Sequence, residues 1–334
     1  MMTPKKRVIV LLVLVISVVL SIRIWMSHKS NHLSAVEEIR VANHIEYGTL
    51  IWIAEHQGYF TDNGLKVNLK DYPSGVAACD ALIAGQTDIA LSAGYVFVNN
   101  VFNNPDVRIL AIEDTVENEE LVARKDRGIQ NPSDLKGKKI GVTSKSSAVF
   151  FLGTFLIFNH LSLADVQIVD VKPQEMADFL SQGKVDAVVT WPPFLFNTKK
   201  KLGSNGISWS VQRGQRYNML LLAKEKFIQT HKGALERFLR SLIQAQEFVS
   251  RNNQEAKKFI QEKYNYETSY VDEMWLQHHF LINLTQSLLL IMEDQARWII
   301  KYELTPKQKV PNYLNYIYLD ALDAINPKAI SIIR

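Results

Sequence analysis

The run Thr143-Ser144-Lys145-Ser146-Ser147 sets four hydroxyls and a lysine at the opening of a helix. The first turn of a helix has backbone N–H groups without intrahelical partners and carries the positive end of the dipole, so this run has the chemistry of an anion site. An ordinary N-cap requires only one of those hydroxyls, and the surplus points to a ligand. Ser74-Gly75 and Ser92-Ala93-Gly94 offer small side chains beside which backbone donors can approach a solute, although turn geometry selects the same residues. His44 and Tyr47 could stack on a ligand or hydrogen-bond to it. Glu113, Asp114, Glu117, Glu119 and Glu120 form an acidic run, which reads first as solvated surface. If Glu113 or Asp114 faces the ligand instead, it would favour an ammonium or an N–H-rich ring, and together with the hydroxyl run would suit a zwitterion.

These are binding groups rather than a catalytic constellation. The sequence has no G-x-S-x-G elbow and no P-loop, and His160 and His231 are isolated. His278 and His279, read on a helix, diverge by roughly 100° and would not share a metal. Cys79 is the only cysteine, which excludes an intramolecular disulfide and every Cys-pair zinc pattern. No cofactor is expected and no enzyme activity. The 334 residues correspond to two domains at about 150 residues each. With 47% hydrophobic and 22% charged residues the chain can bury substantial cores, and disorder is excluded as its main description. Lys5, Lys6, Arg7 and Arg23 account for the formal net charge of +4; beyond Ser27, 34 basic residues balance 34 acidic ones. A neutral body gives no phosphate-tracking footprint, so nucleic acid is not expected as a partner.

The candidate binding groups fall in loops between short β-rich runs and amphipathic stretches, beginning with a strand at Ile39 to Asn43 and a helix at Gly48 to His56. This alternation predicts β-α-β units, and in open α/β sheets a ligand sits beyond the C-terminal ends of the strands. Ala84-Gly85-Gln86-Thr87-Asp88-Ile89-Ala90 is echoed 98 residues later by Gln182-Gly183-Lys184-Val185-Asp186-Ala187-Val188. Ile39 to Asn43 corresponds likewise to Lys139 to Thr143, and Leu65 to Asp71 to Ala164 to Asp170. In each copy glycine would let a helix end in a left-handed turn, and aspartate would cap the start of an apolar strand. The repeated order predicts two similar α/β lobes. After Trp209 comes a strand at Met219 to Ala223 and then a helical tail, in which Leu235, Phe238, Leu239, Leu242 and Ile243 share one face.

Lys5, Lys6 and Arg7 precede an apolar run from Val8 to Leu20, the n-region and h-region of an export signal. Residues 1–27 are read as a signal peptide or, since Val8 to Met26 spans 19 residues, as an uncleaved anchor in the inner membrane. Either way the body would lie outside the cytoplasm, in the periplasm.

Four stretches resemble the extracytoplasmic substrate-binding proteins of nitrate, sulfonate and taurine ABC importers, with thiamine-pyrimidine binders as relatives. They are Ile53 to Phe60 with Gly64 to Val67, Leu82 to Ala90, Asp134 to Val142, and Gln182 to Ala187 running on to Trp191-Pro192-Pro193-Phe194. The resemblance covers residues 39 to about 245; the tail is similar only in being helical. It implies a type II periplasmic-binding fold, with lobe I at 38–115 plus 217–334, lobe II at 116–216, and crossings near Ile112 to Leu121 and Gln215 to Leu220. It also implies an aromatic at Trp191 facing the cleft. The expected contacts are then His44, Tyr47, Ser74, Gly75, Ser92, Ala93, Glu113, Thr143, Ser144, Ser146, Ser147 and Trp191. The implied function is capture of a small organic anion or zwitterion by a monomer that closes over it and is recognised by an ABC permease with its ATPase. The rival readings are a membrane-tethered ligand sensor and a pyrimidine binder.

Overall fold

The computed structural model describes residues 36–333, so the leader expected at 1–27 lies outside the described residues. Among the described residues no helix is long and apolar enough to cross a membrane. The alternating pattern folds as β1 (Glu37–His44), α1 (Thr49–His56), α2 (Tyr59–Asp62), β2 (Leu65–Tyr72), α3 (Gly75–Ile83), β3 (Ile89–Ala93), α4 (Gly94–Val101) and β4 (Val107–Val116). The second series is β5 (Glu120–Arg124), β6 (Lys139–Val142), α5 (Ser147–Phe158), β7 (Gln167–Asp170), α6 (Met176–Ser181), β8 (Ala187–Thr190), α7 (Phe194–Leu202) and β9 (Gly206–Ser210). The chain continues through β10 (Tyr217–Lys224), α8 (Glu225–Thr230), α9 (Lys232–Arg251), α10 (Asn253–Tyr264), α11 (Thr268–Leu276), β11 (His278–Asn283), α12 (Gln286–Lys301) and α13 (Asp320–Ile325).

Two sheets result, ordered β11-β4-β10-β3-β1-β2 and β7-β6-β8-β5-β9. The repeat in the sequence is a repeat in space. β2-β1-β3 and β7-β6-β8 are parallel trios with the same connectivity. Gly85 and Gly183 both sit at φ 72°, the left-handed region that ends a helix without a Cβ penalty. Three residues on, Asp88 accepts the Arg40 N–H at 2.9 Å and Asp186 accepts the Lys139 N–H at 2.9 Å. Each aspartate thus ties the start of its own strand to the neighbouring one. β3 and β8 are buried along their whole length, as parallel strands covered on both faces must be. This is the α/β architecture of the type II periplasmic-binding fold.

The chain leaves the first sheet after Val116, joins the second at Glu120, and returns between Ser210 and Tyr217. The return lies upstream of most of the stretch expected from Gln215 to Leu220, because residues from Tyr217 onward are already paired in β10. The tail also departs from the helical expectation. β11 pairs antiparallel with β4 and forms an edge of the first sheet. On this strand His278 and His279 are a buried and an exposed neighbour rather than residues of a helix. His278 Nδ1 pairs with Asp114, which also accepts the His279 N–H at 2.9 Å. That tertiary tie holds a segment too short to announce itself as a strand. In α9, Leu235, Phe238, Leu239 and Leu242 are fully buried, and Phe238 stacks on Phe60 with centroids 5.3 Å apart.

Candidate functional site

The C-terminal ends of β1, β2, β3, β6 and β8 converge between the two sheets. His44 ends β1, Ser74 to Val76 open α3, Ala93 and Val96 belong to the start of α4, Ser146 and Ser147 open α5, and Trp191 follows β8; with Glu119 and Tyr217 they line one small cavity. Its volume is about 10 Å³, room for roughly one water. The two sheets are therefore shut against each other around this cleft.

Hydrogen-bonding capacity is concentrated there. Both ring nitrogens of His44, Nε1 of Trp191 and Oε2 of Glu119 are buried without a hydrogen-bond partner among the described residues. Burial holds the His44 imidazole down at about 3, so it stays neutral and presents one N–H and one lone pair. His44 lies 4.5 Å from the Tyr47 ring and 6.3 Å from Trp191, nearly perpendicular to it. Burial pushes the Glu119 carboxyl up to about 8 against the opposing hydrogen bond from Ser147, so it is a neutral acid at neutral pH. Among the described residues no lysine or arginine lines the cavity. Positive potential at the cavity comes from the first turns of α3, α4 and α5 and from the Trp191 and His44 N–H groups.

Seven of the expected contacts meet in this cavity: His44, Ser74, Gly75, Ala93, Ser146, Ser147 and Trp191. Five do not line it. Tyr47 stands behind His44, with its hydroxyl donating to Asn118 Oδ1 at 3.0 Å. Ser92 donates to the Gly75 carbonyl at 2.8 Å and so braces the α3 terminus from behind. The Thr143 hydroxyl donates to the Val171 carbonyl at 2.9 Å, and the Ser144 N–H donates to Asp170 Oδ1 at 2.9 Å. Because α5 starts only at Ser147, the first half of the hydroxyl run is spent on the preceding turn, and Lys145 is exposed. Glu113 is fully buried and accepts the Leu50 N–H at 3.0 Å. The expectation that the acidic run is solvated surface is wrong for Glu113, Asp114 and Glu119, which are all buried. Glu113 and Asp114 lie in a central strand of the first sheet, and Glu119 lies where the chain crosses between sheets.

Residues 46–256 match the family described as NMT1/THI5 like, which is more than half of the chain. The chain belongs to the NMT1/THI5-like family. A Bacillus subtilis (strain 168) protein named for binding aliphatic sulfonates is 25% identical over 61% of this chain and 63% of its own length, so somewhat under two thirds of that relative is matched. The periplasmic aliphatic sulphonate binding protein SsuA of Escherichia coli superposes with a TM-score of 0.70 at 16% identity, over 85% of this chain and 98% of that one. The desulfurization enzyme DSZB has the same fold, with a TM-score of 0.62 at 13% identity over 87% of this chain and 99% of that one. The same fold is thus found in a binding protein and in an enzyme.

Within this NMT1/THI5-like chain, sequence reasoning missed Val76, Val96, Glu119 and Tyr217 as cleft residues. Val76 and Val96 follow predicted loops within one helical turn and could have been found by extending each loop into its helix. Glu119 and Tyr217 flank the crossings, and their direction depends on how the two strands cross.

Proposed function

We propose that this chain is an extracytoplasmic solute-binding protein that holds a small organic anion or zwitterion of the sulfonate class between two lobes and delivers it to an ABC permease and its ATPase. Lobe I comprises residues 38–115 and 217–334, lobe II residues 116–216, and the protein works as a periplasmic monomer. The observation that carries this reading is the convergence of helix N-termini from both sheets on a cleft whose buried N–H groups lack partners. The relative named for aliphatic sulfonates supports the same ligand class. The cleft volume is far below the roughly 300–1,000 Å³ of a small-molecule pocket. Capture therefore requires the lobes to separate and reclose, which fits a fold crossed by two strands.

Binding rather than catalysis is favoured by the state of the nucleophiles. The Cys79 thiol is buried in α3, pushed up to about 12 and away from the cavity lining. A zwitterion would place its ammonium on Glu119, because Glu113 and Asp114 are engaged with Leu50, His278 and His279. The test is a thermal-shift and tryptophan-fluorescence titration of residues 28–334 with taurine, alkylsulfonates, nitrate, bicarbonate and pyrimidines. At one hundred times its dissociation constant a ligand stabilises the fold by about 2.7 kcal/mol. A saturable shift with sulfonates supports the proposal; a shift with pyrimidines alone replaces the ligand class, and no shift with any of them removes it.

A further inference from the structure

We infer that Gln212 is a positioning residue, which braces the two inter-sheet crossings and thereby sets Glu119 and Tyr217 in the cleft. This rests on the reading of that cleft as the ligand site. Gln212 lies in the second crossing and is 3% exposed. Its Oε1 accepts the N–H groups of Asn118 and Glu119, both at 2.7 Å, from the first crossing. Its Nε2 donates to the Val116 carbonyl at 3.0 Å and to the Gln215 carbonyl at 2.8 Å. Two donated and two accepted bonds exhaust the capacity of one amide. A carboxylate of the same length cannot donate, and an apolar side chain can do neither.

From Gln212 two short routes reach the cleft. The first passes through Glu119, whose backbone is held by Gln212 and whose carboxyl bonds Ser147 at the start of α5. The second passes through Asn118, whose Oδ1 accepts the hydroxyls of Tyr47 at 3.0 Å and Tyr217 at 3.2 Å. Tyr217 lines the cavity, and Tyr47 packs on His44. The crossings are tied further by the Val211 N–H on the Glu119 carbonyl at 3.2 Å and the Gly214 N–H on Glu117 Oε1 at 2.7 Å. Gln212 is the member of this set that holds both ends of the first crossing. Any rotation of one sheet against the other must carry these bonds as a unit or break them, so hinge geometry and cleft geometry are coupled through this side chain.

The test compares the wild type with Gln212→Met and Gln212→Asn. Without ligand, the Asn118 and Glu119 amides should exchange slowly in the wild type and at least about tenfold faster in Gln212→Met, with Leu221 in β10 unchanged. The Glu119 carboxyl, followed by NMR on protein carrying ¹³C-labelled glutamate, should titrate at a different pH in both variants; the titratable groups facing it are His44, Tyr47 and Tyr217. Taurine and ethanesulfonate should bind about tenfold more weakly to Gln212→Met. Unchanged exchange at Asn118 and Glu119, or an unchanged Glu119 titration, overturns the inference. Should Gln212→Met fail to fold, the shorter amide of Gln212→Asn, which adds no charge and cannot reach all four partners, decides it by the same exchange and titration. If neither probe binds the wild type, the proposed ligand class fails, while exchange and titration still decide the role of Gln212.

Discussion

In the proposed function, Glu119 is the cavity residue whose protonation would select the charge of a ligand. Because burial raises its carboxyl to about 8 from an ordinary 4.5, the folded state holds a proton that the unfolded chain releases. Its contribution to stability is complete below about pH 4.5 and is lost as pH rises through about 8, at up to about 1.4 kcal/mol per pH unit in that window. Glu119→Gln should therefore flatten the fall in thermal stability between pH 5 and pH 8, a slope that calorimetry across that range reads directly. Glu46, raised to about 7 by burial against hydrogen bonds from Tyr266 and Tyr270, keeps its own part of the slope in this variant. If the proposed site is right, ligand affinity should respond with opposite signs for two ligand types. A simple alkylsulfonate should bind more weakly as Glu119 ionises, because like charge is then buried beside it; taurine should bind more tightly, because its ammonium gains a carboxylate. Titrations of both at pH 6 and pH 9 separate the cases, and parallel behaviour of the two would remove Glu119 from ligand contact.

At the scale of elements, the repeated Gly-x-x-Asp units and the helix starts make distinct predictions. Gly85→Ala and Gly183→Ala each force a side chain into left-handed backbone at φ 72°, and each should cost about 1–2 kcal/mol in denaturant unfolding. A Cβ at Gly85 meets nothing, whereas one at Gly183 displaces the Arg127 guanidinium, so Gly183→Ala should be the costlier of the two. Ser74 caps α3 by accepting the Ala77 N–H at 3.1 Å, so Ser74→Ala should cost about 1 kcal/mol. The same substitution leaves the cleft's backbone donors without a fixed helix start, and ligand affinity should fall with it. The β-α alternation, the 98-residue repeat and the buried face of α9 were legible because each depends on local periodicity. β11 was not: six residues between two helices carry too little pattern, and its place comes from pairing with β4 and from the bond between His278 and Asp114.

Across the whole molecule, the C-terminal segment reaches over to the second sheet's helices on both flanks of the cleft. On one flank Trp298 of α12 lies edge-on to Phe150 of α5 at 5.5 Å and to Tyr95 of α4 at 6.0 Å. It fills the space beside Gly153, where an added Cβ would come within 2.6 Å of the indole. On the other flank Tyr270 of α11 packs against Phe196 of α7 at 5.1 Å, and Lys200 pairs with Glu267 at 3.4 Å. The exposed ion pair adds little, so these contacts between the two sheets are chiefly aromatic. Trp298→Ala should expand the ligand-free protein in small-angle scattering and speed both association and dissociation of ligand; an unchanged radius of gyration would place the closing contacts elsewhere.

The sequence by itself determined the α/β class, the internal repeat, and the strand ends on which His44, Ser74, Gly75, Ala93, Ser146, Ser147 and Trp191 stand, because those properties follow from local pattern and from the rule that ligands meet parallel strands at their C-terminal ends. Only the tertiary structure decided which hydroxyls of the Thr143 to Ser147 run face inward, since that depends on where α5 begins relative to Val171 and Asp170. Only it turned Glu113, Asp114 and Glu119 of the acidic run from surface into interior and brought Glu119 beside Ser147, residues 28 positions apart in the chain. Burial of a charged residue is set by what packs over it from distant segments, and no local periodicity records that.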